Sequence, residues 1–294
     1  MMSPTKFTLT TLLSLGACAG TLPQAAAADG FTDTPFVLNL DGTPMQWRTH
    51  DPRRPKPKKV EGTLQNTPRP AEAEVLFDGR KASAWAPCAR NKKYGPPTLW
   101  PVKDGVLVAS YQDLQTKKSY GDCKLHIEWR VPKNRSGQGQ RGANSGVMFG
   151  AGRYEVQVLE SHTNVTYADG QAAAIYGFMP PLVNPALPPG EWQSYDITYT
   201  APRFDEDGNT LKRARFHVVF NGVVVQNDQE LIGDGSYRGS SLFPTKQLRE
   251  NPKSRYGHRL LEKHPARLPI RLQFHGDPIE FRNIWVIDLE KDAK

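Results

Sequence analysis

From Glu74 onward, short apolar runs alternate with polar residues at a period of two, and turn residues separate the runs. That is the signature of strands with one buried face and one outward face. Val75-Leu76-Phe77 ends at the turn Asp78-Gly79, and Asp104-Gly105 parts 99–103 from 106–110 as a hairpin. Residues 124–131 turn Leu125, Ile127 and Trp129 to one side and His126, Glu128 and Arg130 to the other. Residues 154–159 set Tyr154, Val156 and Val158 against Glu155 and Gln157. The run 215–220 leads through Asn221-Gly222 into Val223-Val224-Val225, the strongest hairpin signal in the chain. Residues 270–275 send Ile270, Leu272 and Phe274 inward and Arg271, Gln273 and His275 outward, and 281–289 closes the series. No amphipathic helix of several turns and no internal repeat interrupts it. The pattern predicts an all-β sandwich. Two stretches without strand pattern, 161–190 and 226–268, read as long loops, which in a compact domain are functional or mobile.

Composition agrees with that class. Of 294 residues, 25 are Gly and 25 Pro, and 10% are aromatic, which suits many turns around an aromatic core better than a helical bundle. With 38% hydrophobic and 23% charged residues, neither a polytopic membrane protein nor a disordered chain fits. The apolar stretch after Lys6 and the small residues Ala25 to Ala28 read as a secretory signal peptide over 1–28, which predicts a secreted or periplasmic protein. Leu15-Gly16-Ala17-Cys18 loosely resembles a bacterial lipobox, an alternative that makes Cys18 a lipid anchor. No transmembrane span is expected in the mature chain. Cys88 and Cys123 remain in it, as a disulfide or as two separate thiols. Residues 29–71 are Pro-, Thr- and charge-rich and read as an N-terminal extension and linker, with the domain over 72–294. The net charge of +8 is concentrated in two stretches. Residues 48–69 hold seven Lys/Arg against two Asp/Glu, and 233–267 hold eight against three. Charge in a Pro-rich linker and a loop is not the basic face that nucleic-acid binding requires, so nucleic acid is not the expected partner.

Ten segments in order resemble the 3-keto-disaccharide hydrolase domain family. They begin with Leu76-Phe77-Asp78-Gly79 and Trp85, then Trp100-x-Val102-x-Asp104-Gly105-Val106-Leu107 and Gly121-Asp122 leading to Glu128-Trp129-Arg130. Asn144-Ser145-Gly146-Val147, Tyr154-Glu155-Val156-Gln157-Val158-Leu159-Glu160, Ala174-Ile175-Tyr176 and Gly190-Glu191-Trp192 follow. Phe220-Asn221-Gly222, Leu272-Gln273-x-His275-Gly276 and Phe281-Arg282-Asn283-Ile284 complete the set. Departures are Gln193, where the family commonly has Asn, Glu160, where it has Asp, and the long 233–267 loop. The resemblance implies a concanavalin A-like jelly roll with a site on its concave sheet, and action on a carbohydrate substrate oxidised at C3.

The outward sets are acids, amides, an arginine and an imidazole, groups that bind sugars or move protons. Glu155-x-Gln157-x-x-Glu160 is also similar to the acidic strand motif of family-16 glucanases, in which a β-bulge brings three polar residues to one face. Gln157 in the central place disfavours double displacement. A 3-keto sugar needs a base at C2, an electrophile at the C3 oxygen and an acid at the leaving oxygen. Glu155 and His275 are expected to transfer protons, with Arg130 as electrophile, Glu160 as a supporting charge, and a divalent cation as a further candidate cofactor. Glu128, Asn144, Gln157, Tyr176, Trp192 and Gln273 are expected to bind substrate. The competing reading is a lectin-like module that binds glycan without chemistry.

Overall fold

The computed structural model describes residues 30–290 except 66, 89–97, 136, 236–238 and 240. The signal peptide and the Cys18 anchor fall outside the described residues. Among those described, no helix is long and apolar enough to cross a membrane.

Two antiparallel sheets face each other as a jelly-roll sandwich. The larger has eight strands in the order Val223–Glu230, Arg215–Phe220, Gln193–Thr200, Cys123–Arg130, Glu280–Asp288, Val106–Val108 and Val102–Lys103, with Glu74–Phe77 also paired to Glu280–Asp288. The smaller has five, in the order Tyr154–Leu159, Asn144–Phe149, Arg271–Leu272, Asp113–Thr116 and Trp85–Cys88. The apolar half of each alternating run meets its counterpart between the sheets. Leu125, Ile127 and Trp129 come from one side, and Val147, Phe149, Tyr154, Val156, Val158 and Leu272 from the other. Aromatic rings hold the centre together. Trp129 lies 5.3 Å from Tyr195 and 5.9 Å from Phe220, and Phe149 lies 4.7 Å from Tyr199, centroid to centroid, within the range of favourable ring contacts.

Two stretches depart from the expected loops. The strand Val223–Glu230 runs past the alternation that marks its start, because register shifts against Arg215–Phe220 break the period of two. The Lys246–Glu250 helix, capped by the Thr245 side chain, interrupts the rest. Residues 161–190, expected to be a long loop, pack in part against the smaller sheet. Tyr167 to Ile175 are buried, and main-chain bonds tie Ala173, Ala174 and Tyr176 along the edge strand Tyr154–Leu159. Cys88 and Cys123 are both free thiols, one on each sheet.

The segment read as a linker lies against the domain. Phe36–Leu38 pairs with Pro44–Arg48, and Lys58–Lys59 pairs in parallel with Val183–Asn184. The Thr63 N–H donates to the Asn221 carbonyl. Val37, Leu38, Thr49, His50, Asp51 and Arg54 are buried. The segment's own sequence lacks periodicity because its partners belong to the domain it crosses.

Replacing Trp129, 1% exposed, with Ala removes the ring that Tyr195 and Phe220 pack on. A stability loss of about 3–5 kcal/mol is expected, measured by equilibrium urea unfolding. A loss below about 1 kcal/mol contradicts this account of the core.

Candidate active site

Strand alternation sends Asn144, Gly146 and Met148 outward from one strand, Glu155 and Gln157 from its neighbour, and Arg271 and Gln273 from the other side. Continuous register keeps these side chains in rows, with Met148 opposite both Glu155 and Arg271, and Gly146 opposite Gln157. The loop 161–190 adds Tyr176, whose N–H donates to the Glu155 carbonyl at 3.0 Å. His275 enters just beyond Gln273, before the turn at Gly276, whose φ of +108° suits glycine. The Asp277 carboxylate anchors that turn by accepting the Asn144 N–H at 3.0 Å. The result is a cleft of about 400 Å³ lined by Asn144, Met148, Glu155, Gln157, Tyr176, Arg271, Gln273 and His275 together with Gly152 and Gly235, a volume typical of small-molecule sites.

A buried amide network fixes the floor. The Gln140 Oε1 accepts from Gln157 Nε2 at 2.8 Å and from Asn144 Nδ2 at 3.2 Å. The Gln157 main-chain carbonyl accepts the Tyr195 hydroxyl, and the Ser145 hydroxyl donates to the Gln273 carbonyl. Three polar atoms on this floor lack a partner: Gln157 Oε1, Gln273 Oε1 and Arg271 Nε. Buried polar atoms are normally paired, and leaving one unpaired costs roughly 1–3 kcal/mol, which makes this floor a candidate place for a polar ligand or bound water. Gly146 leaves room for the Glu155 side chain to lie across it, since a Cβ there would stand 2.2 Å from Glu155 Oε1. Two other hollows, of about 540 and 570 Å³, differ in kind. In the first, Arg203 pairs with Asp122 and Glu290 and His264 meets the Tyr154 hydroxyl; in the second, Arg130 pairs with Glu280.

Six of the ten expected residues therefore share the cleft: Glu155, His275, Asn144, Gln157, Tyr176 and Gln273. Four do not. Arg130, Glu128 and Trp192 lie on the outer face of the eight-stranded sheet, with the core between them and the cleft. Arg130 pairs with Glu280, and Arg282 bonds Glu128 through Nε at 2.6 Å. Both guanidinium groups cover the Trp192 ring, at 4.5 and 4.0 Å from its centroid. Glu160 fails for a different reason. The strand before it is regular, without the expected bulge, so alternation does not bring Glu160 to the Glu155 face. It is buried, paired with Arg135, and accepts from the Thr163 N–H and hydroxyl at 2.7 and 3.0 Å. Arg271 and Met148 entered the cleft without being singled out. Arg271 was already legible as outward-facing, two residues before Gln273, and that shared face was the available signal. Among the described residues, no three His, Cys, Asp or Glu side chains stand close enough to hold a metal ion. A cation at the cleft has Glu155, His275 and the amide oxygens of Gln157 and Gln273 as neighbours.

Residues 72–287 match the 3-keto-alpha-glucoside-1,2-lyase-like domain. The chain belongs to that family. Membership makes it a carbohydrate-active domain. Among solved structures it is similar to a candidate glycosyl hydrolase of Parabacteroides distasonis ATCC 8503, at 40% identity over 74% of this chain and 84% of that one, with a TM-score of 0.62. Two further candidate glycosyl hydrolases of the same organism align at 19% and 22% identity, each over 74% of this chain and over 94% and 99% of theirs. Their TM-scores of 0.46 carry no argument. No curated protein matches the chain.

The geometry yields two predictions. Gly146→Ala forces the Glu155 carboxylate aside, while its backbone, outside the left-handed region, accepts a side chain. Turnover of the sugar substrate should fall by about tenfold or more, with stability changed by less than about 1 kcal/mol. Kinetics and thermal melting check this, and unchanged kinetics contradict it. The second concerns Glu128. Burial works against its charge, but the His126 imidazole 3.7 Å away, hydrogen bonds from Asn283 and Arg282 and the Arg282 charge outweigh burial and hold its pKa at about 2. A folded pKa below the unfolded value contributes stability above about pH 4.5 that is lost as pH falls toward 2. Glu128→Gln should therefore cost on the order of 1–2 kcal/mol at pH 7, after allowance for solvent screening at the exposed Arg282. The deficit should shrink between pH 4.5 and 2, as read by unfolding at each pH.

Proposed function

We propose that the cleft cleaves glycosides already oxidised at the sugar's C3, outside the cytoplasm, by elimination followed by hydration. The observation that carries this reading is the convergence of one carboxylate, one imidazole, one phenol and one guanidinium on a single hollow. The described lining contains one carboxylate, Glu155. Double displacement requires two carboxyl groups about 5–5.5 Å apart, and Glu160 is held away by Arg135 and Thr163, so a retaining glucanase is disfavoured.

A carbonyl at C3 acidifies the C2 proton. In the first half-reaction, Glu155 takes that proton and the C2–H electron pair moves to give an enediolate whose charge rests on the C3 oxygen. The Arg271 guanidinium, which takes over the part expected of Arg130, offers donors to that oxygen in the cleft floor. Re-forming the C3 carbonyl shifts the C2=C3 pair to C1=C2 and breaks the C1–O bond, and His275 protonates the departing oxygen. In the second half-reaction, water adds its oxygen to C1 and a proton returns to C2, so the sum is hydrolysis. Gln157 and Gln273 line the space that the sugar occupies, together with Asn144 and Tyr176. Glu155 and His275 exchange acid and base duties between the two halves.

The test is release of aglycone from a 3-keto glucoside beside its parent glucoside, in deuterated water. Wild type should release aglycone from the keto compound only, with deuterium at C2 of the product. Glu155→Gln and His275→Ala should each lower the rate by about 10²–10⁴-fold with melting temperature preserved. Release without C2 deuterium refutes elimination. Binding without release refutes catalysis and favours the lectin reading.

A further inference from the structure

We propose that the N-terminal segment completes the cleft, with His50 as a positioning residue that sets the Tyr176 hydroxyl through Asp169 and Tyr167. The proposal takes the cleft as the reaction site and so rests on the reading above. His50 lies outside residues 72–287, the part of the chain that matches the family.

The contacts run in one continuous path. His50 and Asp169, 119 positions apart in the chain, are both fully buried. The His50 N–H donates to Asp169 Oδ2 at 2.9 Å, and its ring Nδ1 lies 3.2 Å from Oδ1, so one carboxylate holds both main chain and side chain. His50 adopts a left-handed backbone with φ of 60°, a conformation non-glycine residues take at a cost, in the arrangement that makes both contacts to Asp169. Its ring centroid is 4.0 Å from that of Tyr167 and 4.9 Å from that of Tyr176. The two tyrosine hydroxyls are 2.6 Å apart. Tyr176 is the member that lines the cleft.

Main-chain bonds clamp the same loop. Gly177 N–H donates to the Asp169 carbonyl at 2.9 Å, and buried Arg54 donates to the Phe178 carbonyl at 3.1 Å. Residues 50–54 thus grip the loop on both sides of Tyr176. From the cleft side, the Tyr176 N–H is bonded to the strand carrying Glu155, and Gly235 passes so close that a Cβ there would collide with the Tyr176 carbonyl. The Tyr176 main chain is fixed by the domain, and its side chain is set by the N-terminal segment. Burial raises the Asp169 carboxyl, but the His50 bonds and the Arg54 charge outweigh it and keep it below its ordinary value, so it remains an acceptor. A buried polar pair is weak evidence of stabilisation, and fixing one arrangement is its best-attested use.

The test uses the full chain. His50→Phe keeps a flat ring against both tyrosines and removes the donor to Asp169; His50→Asn restores a donor near the Nδ1 position. Turnover of a 3-keto glucoside should fall about tenfold in His50→Phe, chiefly in kcat, and largely recover in His50→Asn. In a Tyr176→Phe background, His50→Phe should cost less than about twofold further. Wild-type turnover in His50→Phe, or an undiminished loss in the Tyr176→Phe background, overturns the proposal. A purely structural role would lower stability in both backgrounds and leave the kcat of folded protein unchanged. Should His50→Phe fail to fold, Asp169→Asn is read the same way. Amide hydrogen exchange across 172–179 needs no substrate. It should quicken in either variant, and wild-type exchange there overturns the proposal even if the wild-type protein proves inactive on keto glucosides.

Discussion

The two sheets are held together by apolar contact along one face of every strand, and that obligation places the polar residues. In Tyr154–Leu159, the inward demand of Tyr154, Val156 and Val158 leaves Glu155 and Gln157 no direction but outward. Val147 and Leu272 impose the same rule on their neighbours, so that Met148, Arg271 and Gln273 line up beside them. A shift of one residue in any of these pairings would bury the cleft's polar groups and expose the core, a double penalty that pins the register. The site is thus a by-product of packing: its precision comes from aromatic and aliphatic contacts on the far side of the sheet.

The two outer faces of the sandwich treat charge in opposite ways. On the eight-stranded sheet, Arg130 has Glu280, Glu128 has Arg282 and Asn283, and His126 has Asp196 at 2.7 Å. Burial opposes the charged form of His126, but Asp196 and Glu128 outweigh it and raise its pKa. These groups are paired with one another and support the architecture of that sheet. On the five-stranded sheet, an arginine Nε and two amide oxygens are buried and unpaired. Their residues line the cleft, so the polar face of this sheet is less completely paired within the protein than that of the other.

The N-terminal segment joins these two levels. It crosses the domain from the Phe36–Leu38 pair to the Asn221 turn, and on the way it delivers His50 behind Tyr176. Its attachment is polar and specific where the sandwich core is apolar and extensive. A chain that wraps a preformed domain in this way can adjust one wall of a cleft without disturbing the sheets beneath.

Hydrophobic alternation by itself determined that this chain is an all-β sandwich and that Glu155, Gln157, Gln273 and His275 point away from its core, because a strand's period of two needs no distant information. It determined the same for Glu128 and Arg130, and there its reach ended. Alternation separates inward from outward but does not say which of two sheets a strand joins, so residues from opposite faces looked alike. Only the tertiary pairing decided that. It also straightened the strand before Glu160, where a borrowed bulge was expected, and brought Arg271 in beside Met148. His50 was illegible for the strongest reason: its partner Asp169 is 119 positions away, inside a stretch without period, and nothing local in either segment encodes a contact that exists only once the whole chain is folded.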